Sequence, residues 1–229
     1  MSPDRDFARD LYPFLYPPAG GAHEPLAALL DSVRSSTLAK CAEVTGLRSE
    51  LLSEYEELLE RTAGAMAMRF ASGGKLLAFG NGGSATDADD AAADCVSPPV
   101  AGWRPLPALS LPADSATVTA VANDVGLESV FVRQLCAIGE RGDIALGIST
   151  SGNSGNVVAA FTEAKRRGML TVALTGYDGG AVARTGAADF CFVARREFVP
   201  RIQEGHATLW HTLLELVQRA LATPVEVDA

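Results

Sequence analysis

The chain has 229 residues, 48% of them hydrophobic, so it can bury a sizeable core in one domain. Its 28 acidic and 19 basic residues give a formal net charge of −9, which argues against nonspecific binding to nucleic acid or to anionic membranes. An anionic small molecule is not excluded, because backbone N–H groups and hydroxyls can hold a phosphate without lysine or arginine.

The sequence gives no sign of secretion or of a membrane anchor. Acidic residues occur within its first six positions, no apolar signal core follows them, and no apolar run approaches the roughly 18–20 residues of a membrane-spanning helix. The four cysteines are scattered without a C-x-x-C pair. Two of them, Cys136 and Cys191, lie in apolar runs, which predicts buried free thiols. We therefore expect a cytoplasmic protein with reduced cysteines.

The N-terminal part of the chain divides into two regions. Residues 1–22 mix proline, glycine and aromatic residues without a period, which predicts an arm that is either disordered or laid across a neighbouring subunit. Residues 23–70 carry apolar side chains at helical spacing in two separate stretches, which predicts a pair of helices. We expect residues 23–229, including this helical pair, to form one domain.

From residue 76 onward, strand-like runs alternate with helical segments. Continuous apolar runs of strand length lie at 76–80, 107–111, 144–149, 170–176 and 189–194. Helical segments are predicted between them at 85–96, 115–138, 153–167 and 180–185, and a last amphipathic helix at 201–221. Strands that are apolar throughout and separated by crossover helices are typical of a parallel sheet buried on both faces. The predicted fold class is therefore α/β, a doubly wound five-stranded parallel sheet with an N-terminal helical pair.

Two glycine–serine turns follow strands of this sheet. The first strand ends in G-N-G-G-S at 80–84, where the backbone can come close to a ligand before the next helix begins. The third ends in S-T-S-G-N-S at 149–154, which places four hydroxyls beside the partial positive charge of a helix N-terminus. An ordinary N-cap explains one such hydroxyl, whereas four predict a phosphate cradle. Because both turns lie at carboxyl ends of parallel strands, we expect them to form one ligand site.

Acidic and histidine side chains cluster in two of the predicted helices. Asp90 and Asp94 are four residues apart and share one helix face, which fits either a site neutralised by a cation or substrate or a solvated acidic face. In the last helix, Gln203 and His211 lie two turns apart on about the same face, and His206 lies one turn from Gln203. A lone histidine on an apolar helix is more often a core residue than a ligand. Here, however, two of the chain's three histidines fall in this one stretch.

Together these motifs resemble the sugar isomerase (SIS) domain family, whose members bind phosphorylated sugars. The matching stretches are G-N-G-G-S-x-x-D at 80–87, A-N-D at 122–124, G-I-S-T-S-G-N-S at 147–154, T-G-x-D-G-G at 175–180 and R-I-Q-E-x-H at 201–206. The last is the most discriminating and indicates, within that family, the phosphoheptose isomerases. The resemblance implies a flavodoxin-like SIS fold, a homotetramer and the isomerisation of sedoheptulose 7-phosphate to a heptopyranose 7-phosphate.

The resemblance also implies roles for individual residues. The substrate-binding positions, with Ser84 added from its place in the first turn, are Asn81, Gly82, Gly83, Ser84, Asn123, Asp124, Ser149, Thr150, Ser151, Ser154 and Gln203. A divalent metal, expected to be zinc, is implied at Asp90, Asp94, Gln203 and His211. Asp94 and His211 occupy the proton-transfer positions, and we assign the base to Asp94 and the acid to His211. No organic cofactor is expected.

The chain departs from the family pattern at the implied metal site. The family usually has His where this chain has Asp90, and Glu where it has Asp94. The shorter aspartate would draw the base back by about 1 Å. Two Asp, one Gln and one His are also a harder ligand set than zinc usually takes, and suit Mn²⁺, Mg²⁺ or Fe²⁺ about as well.

This departure keeps a rival hypothesis open. The same domain occurs in non-catalytic phosphosugar-binding adaptors, including a bacterial protein that associates with the DNA-replication initiator. Loss of the usual His and Glu favours such an adaptor, whereas retention of Gln203, His211 and the R-I-Q-E stretch favours the enzyme.

Overall fold

The computed structural model of the protein describes residues 26–222, so the arm predicted at residues 1–22 lies outside the described residues. The helices among them are α1 Leu26–Ala71, α2 Gly83–Val96, α3 Ser115–Asp124, α4 Val130–Ile138, α5 Gly155–Arg166, α6 Gly180–Thr185 and α7 Val199–Ala222. The strands are β1 Leu76–Gly80, β2 Ala108–Ser110, β3 Ile144–Ser149, β4 Leu170–Gly176 and β5 Phe190–Ala194. Short turns of 3-10 helix lie at Leu111–Ala113 and Leu127–Ser129. None of the helices between residues 26 and 222 is long and apolar enough to cross a membrane.

The five strands form one parallel sheet in the order β2-β1-β3-β4-β5. The predicted α/β fold with a five-stranded doubly wound sheet is confirmed. In this order the connections reverse direction between β1 and β3, and open α/β sheets bind ligands at such a point, outside the carboxyl ends of the strands. Those ends are Gly80 and Ser149, and each is followed by one of the two glycine–serine turns.

Hydrophobic side chains form a separate cluster on each face of the sheet, because successive residues of a strand point to opposite faces. One face packs against α1, α2 and α7, and the other against α4 and α5. In β1, for example, Leu76 and Ala78 join the first cluster, whereas Leu77 and Phe79 join the second. The central strands are therefore buried on both faces, which explains why their sequences are apolar throughout.

Helix α1 differs from the prediction, because one continuous helix replaces the helical pair expected over residues 23–70. Gly46 lies between the two apolar stretches, but one glycine costs a helix only about 1 kcal/mol and does not break it. The described residues divide into two units within this helix. Residues 26–43 are exposed along their whole length, and the compact unit that contains the sheet begins at Val44. One domain over residues 23–229 stays a prediction.

The single helix predicted at 115–138 is interrupted. The structure has α3, a 3-10 turn and α4 in its place. Gly126 lies at the break with a φ of 120° and a ψ of 152°, which is a conformation that side-chain-bearing residues rarely adopt. The break leaves Asn123 and Asp124 at the end of α3.

The burial predicted for Cys136 is wrong. Neither Cys136 nor Cys191 forms a disulfide, but Cys136 is exposed on α4 and its Sγ lies 3.2 Å from Glu163 Oε1, and Cys191 is only half-buried. An apolar run in an amphipathic helix buries one face only, and in α4 that face carries Phe131 and Leu135. Apolar neighbours in the sequence were therefore not enough to place Cys136 in the core.

Candidate functional site

Two helices begin at the carboxyl edge of the sheet, where β1 leads into α2 and β3 leads into α5. Their N-cap residues are Gly82 and Ser154, and neither helix has a side-chain capping hydrogen bond. No side chain therefore covers these helix ends, although the N–H groups of Ser84 and Ala85 in α2 donate to the carbonyl oxygens of Asn81 and Gly82. Both ends carry the partial positive charge of a helix N-terminus. Asn81 and Asn156 join the two turns through reciprocal amide hydrogen bonds of 2.8 Å each. This edge is suited to binding an anion without lysine or arginine.

The S-T-S-G-N-S turn holds its hydroxyl groups close together. The Oγ atoms of Ser149 and Ser154 are 3.1 Å apart, although the two residues lie at opposite ends of the turn. The backbone N–H of Asn153 donates to Ser151 Oγ at 3.2 Å, which folds the turn back on itself. Thr150 is half-buried in the same turn. The four hydroxyls predicted to bind phosphate are thus grouped in one short loop.

Gln203 reaches the start of α2 from α7. Gly83 allows this approach, because a Cβ on that residue would lie 2.3 Å from Gln203 Nε2. The amide Nε2 then donates to Asp87 Oδ2 at 3.5 Å, one turn into α2. Gly83 and Gln203, both predicted as binding residues, are therefore in contact.

Asp94 and His211, the two residues predicted to transfer protons, also lie side by side. His211 Nε2 is 3.5 Å from Asp94 Oδ2, and the indole Nε1 of Trp210 donates to the same carboxylate oxygen at 3.1 Å. The Asp94 side chain is 21% exposed, whereas that of His211 is 65% exposed. The carboxylate is therefore fixed in a partly enclosed position, and the imidazole faces the solvent side.

A cavity of about 60 Å³ lies beside this pair. Its lining consists of Asp87, Asp90, Ile148, Leu174, His206, Ala207, Trp210 and His211. Burial raises the pKa of Asp87 to about 6, the hydrogen bond from Gln203 opposes this shift, and the charge of Asp90 adds to it. Burial lowers the pKa of His206 to about 4. A neutral imidazole and a carboxyl group that takes up its proton near neutral pH therefore share one cavity.

Asn123 and Asp124 are not joined to these groups. Within the described residues their side chains hydrogen-bond only to each other, with Asn123 Nδ2 donating to Asp124 Oδ1 at 2.8 Å, and both are exposed. Their contact with substrate stays a prediction. Ser84 is buried in the first turn of α2, with 3% of its surface exposed.

Comparison with known proteins agrees with this arrangement. A model of the SIS domain matches residues 41–176. The phosphoheptose isomerase of Thermodesulfovibrio yellowstonii is 42% identical over 179 residues, which cover 78% of this chain and 88% of that relative. The phosphoheptose isomerase of Aquifex aeolicus is 44% identical over 164 residues, which cover 72% and 85%. The solved structure of phosphoheptose isomerase GmhA from Neisseria gonorrhoeae superposes with a TM-score of 0.75 at 35% identity, covering 82% of this chain and 99% of that one. The chain belongs to the phosphoheptose isomerase family of SIS-domain proteins.

In this member of the phosphoheptose isomerase family, the predicted metal ligands do not fit a metal site. Asp94 and His211 are in contact, but Gln203 donates to Asp87, and Asp90 is an exposed residue on the wall of the cavity. From residue 26 to residue 222, no three His, Cys, Asp or Glu side chains are grouped so that they could hold a metal ion. We therefore assign no metal to this site.

Three side chains of the site were not assigned to it from the sequence. Asn156 pairs with Asn81, Asp87 accepts from Gln203, and Trp210 donates to Asp94. Asp87 could have been predicted from the sequence, because it is the last residue of the motif G-N-G-G-S-x-x-D. Trp210 could have been predicted because its indole N–H is a donor directly before the predicted acid His211. The pairing of Asn156 has no local signal, because its partner lies in another turn.

Proposed function

We propose that the protein is an aldose–ketose isomerase that converts sedoheptulose 7-phosphate to a heptopyranose 7-phosphate. The observation that carries this proposal is the contact between Asp94 of α2 and His211 of α7, where His211 lines a cavity whose wall includes Ile148, the residue before the hydroxyl-rich turn. A base and an acid thus lie in contact beside a cavity that adjoins the anion-binding turn. Relatives 42% and 39% identical to this chain are named phosphoheptose isomerases, which supports the substrate class.

The proposed reaction moves one proton between neighbouring carbons. In the open-chain ketose, Asp94 takes a proton from C1, next to the carbonyl carbon, while His211 gives a proton to the carbonyl oxygen, and an enediol results. Asp94 then returns its proton to C2 as His211 recovers one from the oxygen on C1, which leaves the aldehyde. Trp210 and His211 both contact Oδ2 of Asp94. We therefore propose that Oδ1 takes the carbon-bound proton.

The phosphate is proposed to bind in the turn at residues 149–154. The hydroxyls of Ser149, Thr150, Ser151 and Ser154, with the uncapped N-terminus of α5, would supply its hydrogen bonds. Asn81 and Asp124 are proposed to orient sugar hydroxyls. The absence of a basic side chain from this set agrees with the chain's net charge of −9.

A coupled assay tests the function. Purified protein is given sedoheptulose 7-phosphate, and formation of the aldose phosphate is followed with and without added divalent metals. We expect turnover. Normal binding of the sugar phosphate in calorimetry, with no isomerisation under any metal condition, would contradict the proposal.

The zinc that the resemblance implies is not part of this proposal. Because Asp90, Asp94 and His211 are not grouped as ligands, we expect the purified protein to carry less than one zinc per chain and to keep its unfolding temperature after dialysis against a chelator. Elemental analysis and calorimetric melting measure both. One tightly held zinc per chain would show that these side chains rearrange around the ion.

The lack of a grouped metal site also favours a second candidate, a phosphosugar-binding adaptor without catalysis. In that case Asp90 and Asp94 are an acidic helix face, while the phosphate turn keeps its role. The variant Asp90→His/Asp94→Glu, which restores the residues usual in the family, separates the two. Activity that appears only in the variant marks a decayed enzyme, whereas activity in the parent excludes the adaptor.

We also propose that the protein is a homotetramer in the cytoplasm. Support for self-association comes from α1, where Leu26, Leu29, Leu30 and Val33 are each at least 46% exposed. Light scattering at micromolar concentration is expected to give about four times the mass of the 23.9 kDa chain. A stable monomer would contradict the proposed tetramer.

A further inference from the structure

His206 is a buried residue whose ring has a fixed tautomer. Only 1% of its surface is exposed, and its Nε2 lies 2.9 Å from the backbone carbonyl oxygen of Thr175. A carbonyl oxygen can only accept, so the ring proton is on Nε2 and Nδ1 carries the lone pair. Because burial lowers the pKa of His206 to about 4, the ring stays neutral at physiological pH. Nδ1 is therefore a hydrogen-bond acceptor held in one direction.

This acceptor has no partner. Among the buried side-chain nitrogen and oxygen atoms of residues 26–222, Nδ1 of His206 is the one left without a hydrogen bond. Buried polar atoms of folded proteins are nearly always paired, so an orphan needs an explanation such as a bound molecule. The ring lines the cavity that Asp87, Asp90 and His211 also line, which is the cavity beside the proposed proton-transfer pair.

We propose that Nδ1 of His206 belongs to the substrate site and accepts a hydrogen bond from one hydroxyl of the sugar chain. This inference rests on the proposed function, because it takes the ligand to be a phosphorylated sugar. The cavity has room for about two water molecules, which matches a hydroxyl-bearing carbon but not a whole sugar. Ile148 and Leu174 give it apolar walls, and the carboxylates of Asp87 and Asp90 are other acceptors on its lining.

His206 acts here as a positioning and specificity residue. Its Nε2 is occupied by Thr175, and the neutral ring has no proton to give to the substrate. A site that offers an acceptor to one hydroxyl rejects an analogue lacking that hydroxyl, because the acceptor is then left buried and unpaired. The geometry thus adds a selective contact for the polyol chain, away from the phosphate.

Nitrogen NMR on the parent protein tests the contact directly. The chain has three histidines, so the ring nitrogens of ¹⁵N-histidine-labelled protein can be assigned with two His→Gln variants. We expect the Nδ1 resonance of His206 to move in the direction of hydrogen bonding on addition of sedoheptulose 7-phosphate, and to stay in place with inorganic phosphate. A water molecule is the competing donor. If Nδ1 is already hydrogen-bonded in the free protein and sugar phosphate changes nothing, the inference is overturned.

A variant gives a second test. His206→Gln keeps an N–H for the Thr175 carbonyl and removes the acceptor at Nδ1. We expect kcat/KM to fall about three- to tenfold, the usual effect of one neutral hydrogen bond. A series of singly deoxygenated substrates then identifies the hydroxyl, because one analogue should lose nothing further in the variant. Equal losses for every analogue would show that His206 is only structural.

A matched control is Gln218→Met, which removes a buried polar side chain from the same helix. Gln218 bonds to the backbone of Arg104 and takes no part in the cavity, so kcat/KM should stay unchanged for all analogues even if stability falls.

The NMR experiment also distinguishes failure of the His206 contact from failure of the proposed function. If sugar phosphate moves the backbone resonances of residues 149–154 but not Nδ1, only the His206 contact is wrong, whereas no change anywhere removes the proposed function and this contact with it.

Discussion

At the scale of single residues, Asp94 is the side chain on which turnover is expected to depend most. The variant Asp94→Asn keeps an oxygen that can accept from Trp210, so the local structure should persist, but the amide cannot take a proton from carbon. We expect kcat to fall by about 10²- to 10⁴-fold, the usual contribution of a general base. Binding of the sugar phosphate, measured by calorimetry, should remain.

Asp94→Glu is the matched variant, since it keeps the carboxylate and restores the longer side chain usual in the family. Its activity should equal or exceed that of the parent. Unchanged turnover in Asp94→Asn would exclude Asp94 as the base.

The phosphate turn gives a second prediction at this scale. Replacing Ser149 and Ser151 together by alanine removes two hydroxyl donors to a charged acceptor, each worth roughly 1.5–3 kcal/mol. The affinity for sedoheptulose 7-phosphate should therefore fall well over tenfold, whereas the unfolding temperature should drop by only a few degrees through loss of the Ser149–Ser154 and Ser151–Asn153 hydrogen bonds. Ser53→Ala on the exposed surface of α1 is the control and should bind as the parent does. Equal affinities for the double variant and the parent would place the phosphate elsewhere.

The sequence predicted the site best where its residues are local. The hydroxyls at 149–154 lie in one turn, so their grouping follows from the strand and helix around them. The contact of Asp94 with His211 came only from resemblance, because it depends on how α7 packs on α2. The orphan Nδ1 of His206 could not be predicted, since it depends on which ring nitrogen meets Thr175.

At the scale of elements, strands were easier to predict than helix ends. All five apolar runs became strands, because burial on both faces leaves a continuous hydrophobic signal. Helix continuity depends on single backbone conformations instead. Gly46 lies inside α1 without breaking it, whereas Gly126, with its φ of 120°, separates α3 from α4. A glycine in the sequence permits a break, and only the surrounding packing decides whether one occurs.

The attachment of α1 to the sheet gives a prediction about stability. The hydroxyl of Tyr55 donates to the carbonyl oxygen of Val193 at 3.3 Å and accepts from its backbone N–H at 3.2 Å. β5 is an edge strand, so this hydroxyl satisfies backbone groups that no neighbouring strand reaches. Tyr55→Phe should lower the free energy of unfolding by about 1–2 kcal/mol in urea denaturation, with kcat unchanged. The exposed Tyr177→Phe is the control, and equal stability of the two variants would contradict the role of this contact.

At the scale of the whole molecule, the buried His206 and the half-buried Asp87 have opposite effects on the pH dependence of stability. The pKa of His206 falls from its usual 6.5 to about 4, so the stability linked to it is present above pH 6.5 and is lost as the pH falls towards 4. The pKa of Asp87 rises from 3.8 to about 6, so the stability linked to it is present below pH 3.8 and is lost as the pH rises through 6. The two effects act over nearly the same pH range with opposite signs, so Asp87 should offset part of the stability that His206 loses as the pH falls from 6.5 to 4.

Asp87→Asn should remove the contribution of Asp87 to this pH dependence. At pH 7 the variant no longer buries a charge, and its Oδ1 can still accept from Gln203. We therefore expect it to be more stable than the parent by roughly 1 kcal/mol, a value reduced for the partial exposure of Asp87. The gain should shrink as the pH is lowered and vanish near pH 4, where the parent's carboxyl is already protonated. The variant itself should lose more stability than the parent between pH 6.5 and pH 4, because the effect of His206 is then unopposed. Urea denaturation at four pH values measures both trends, with Glu57→Gln on the exposed face of α1 as the control. A gain that stays constant with pH would mean that Asp87 is charged over this whole range.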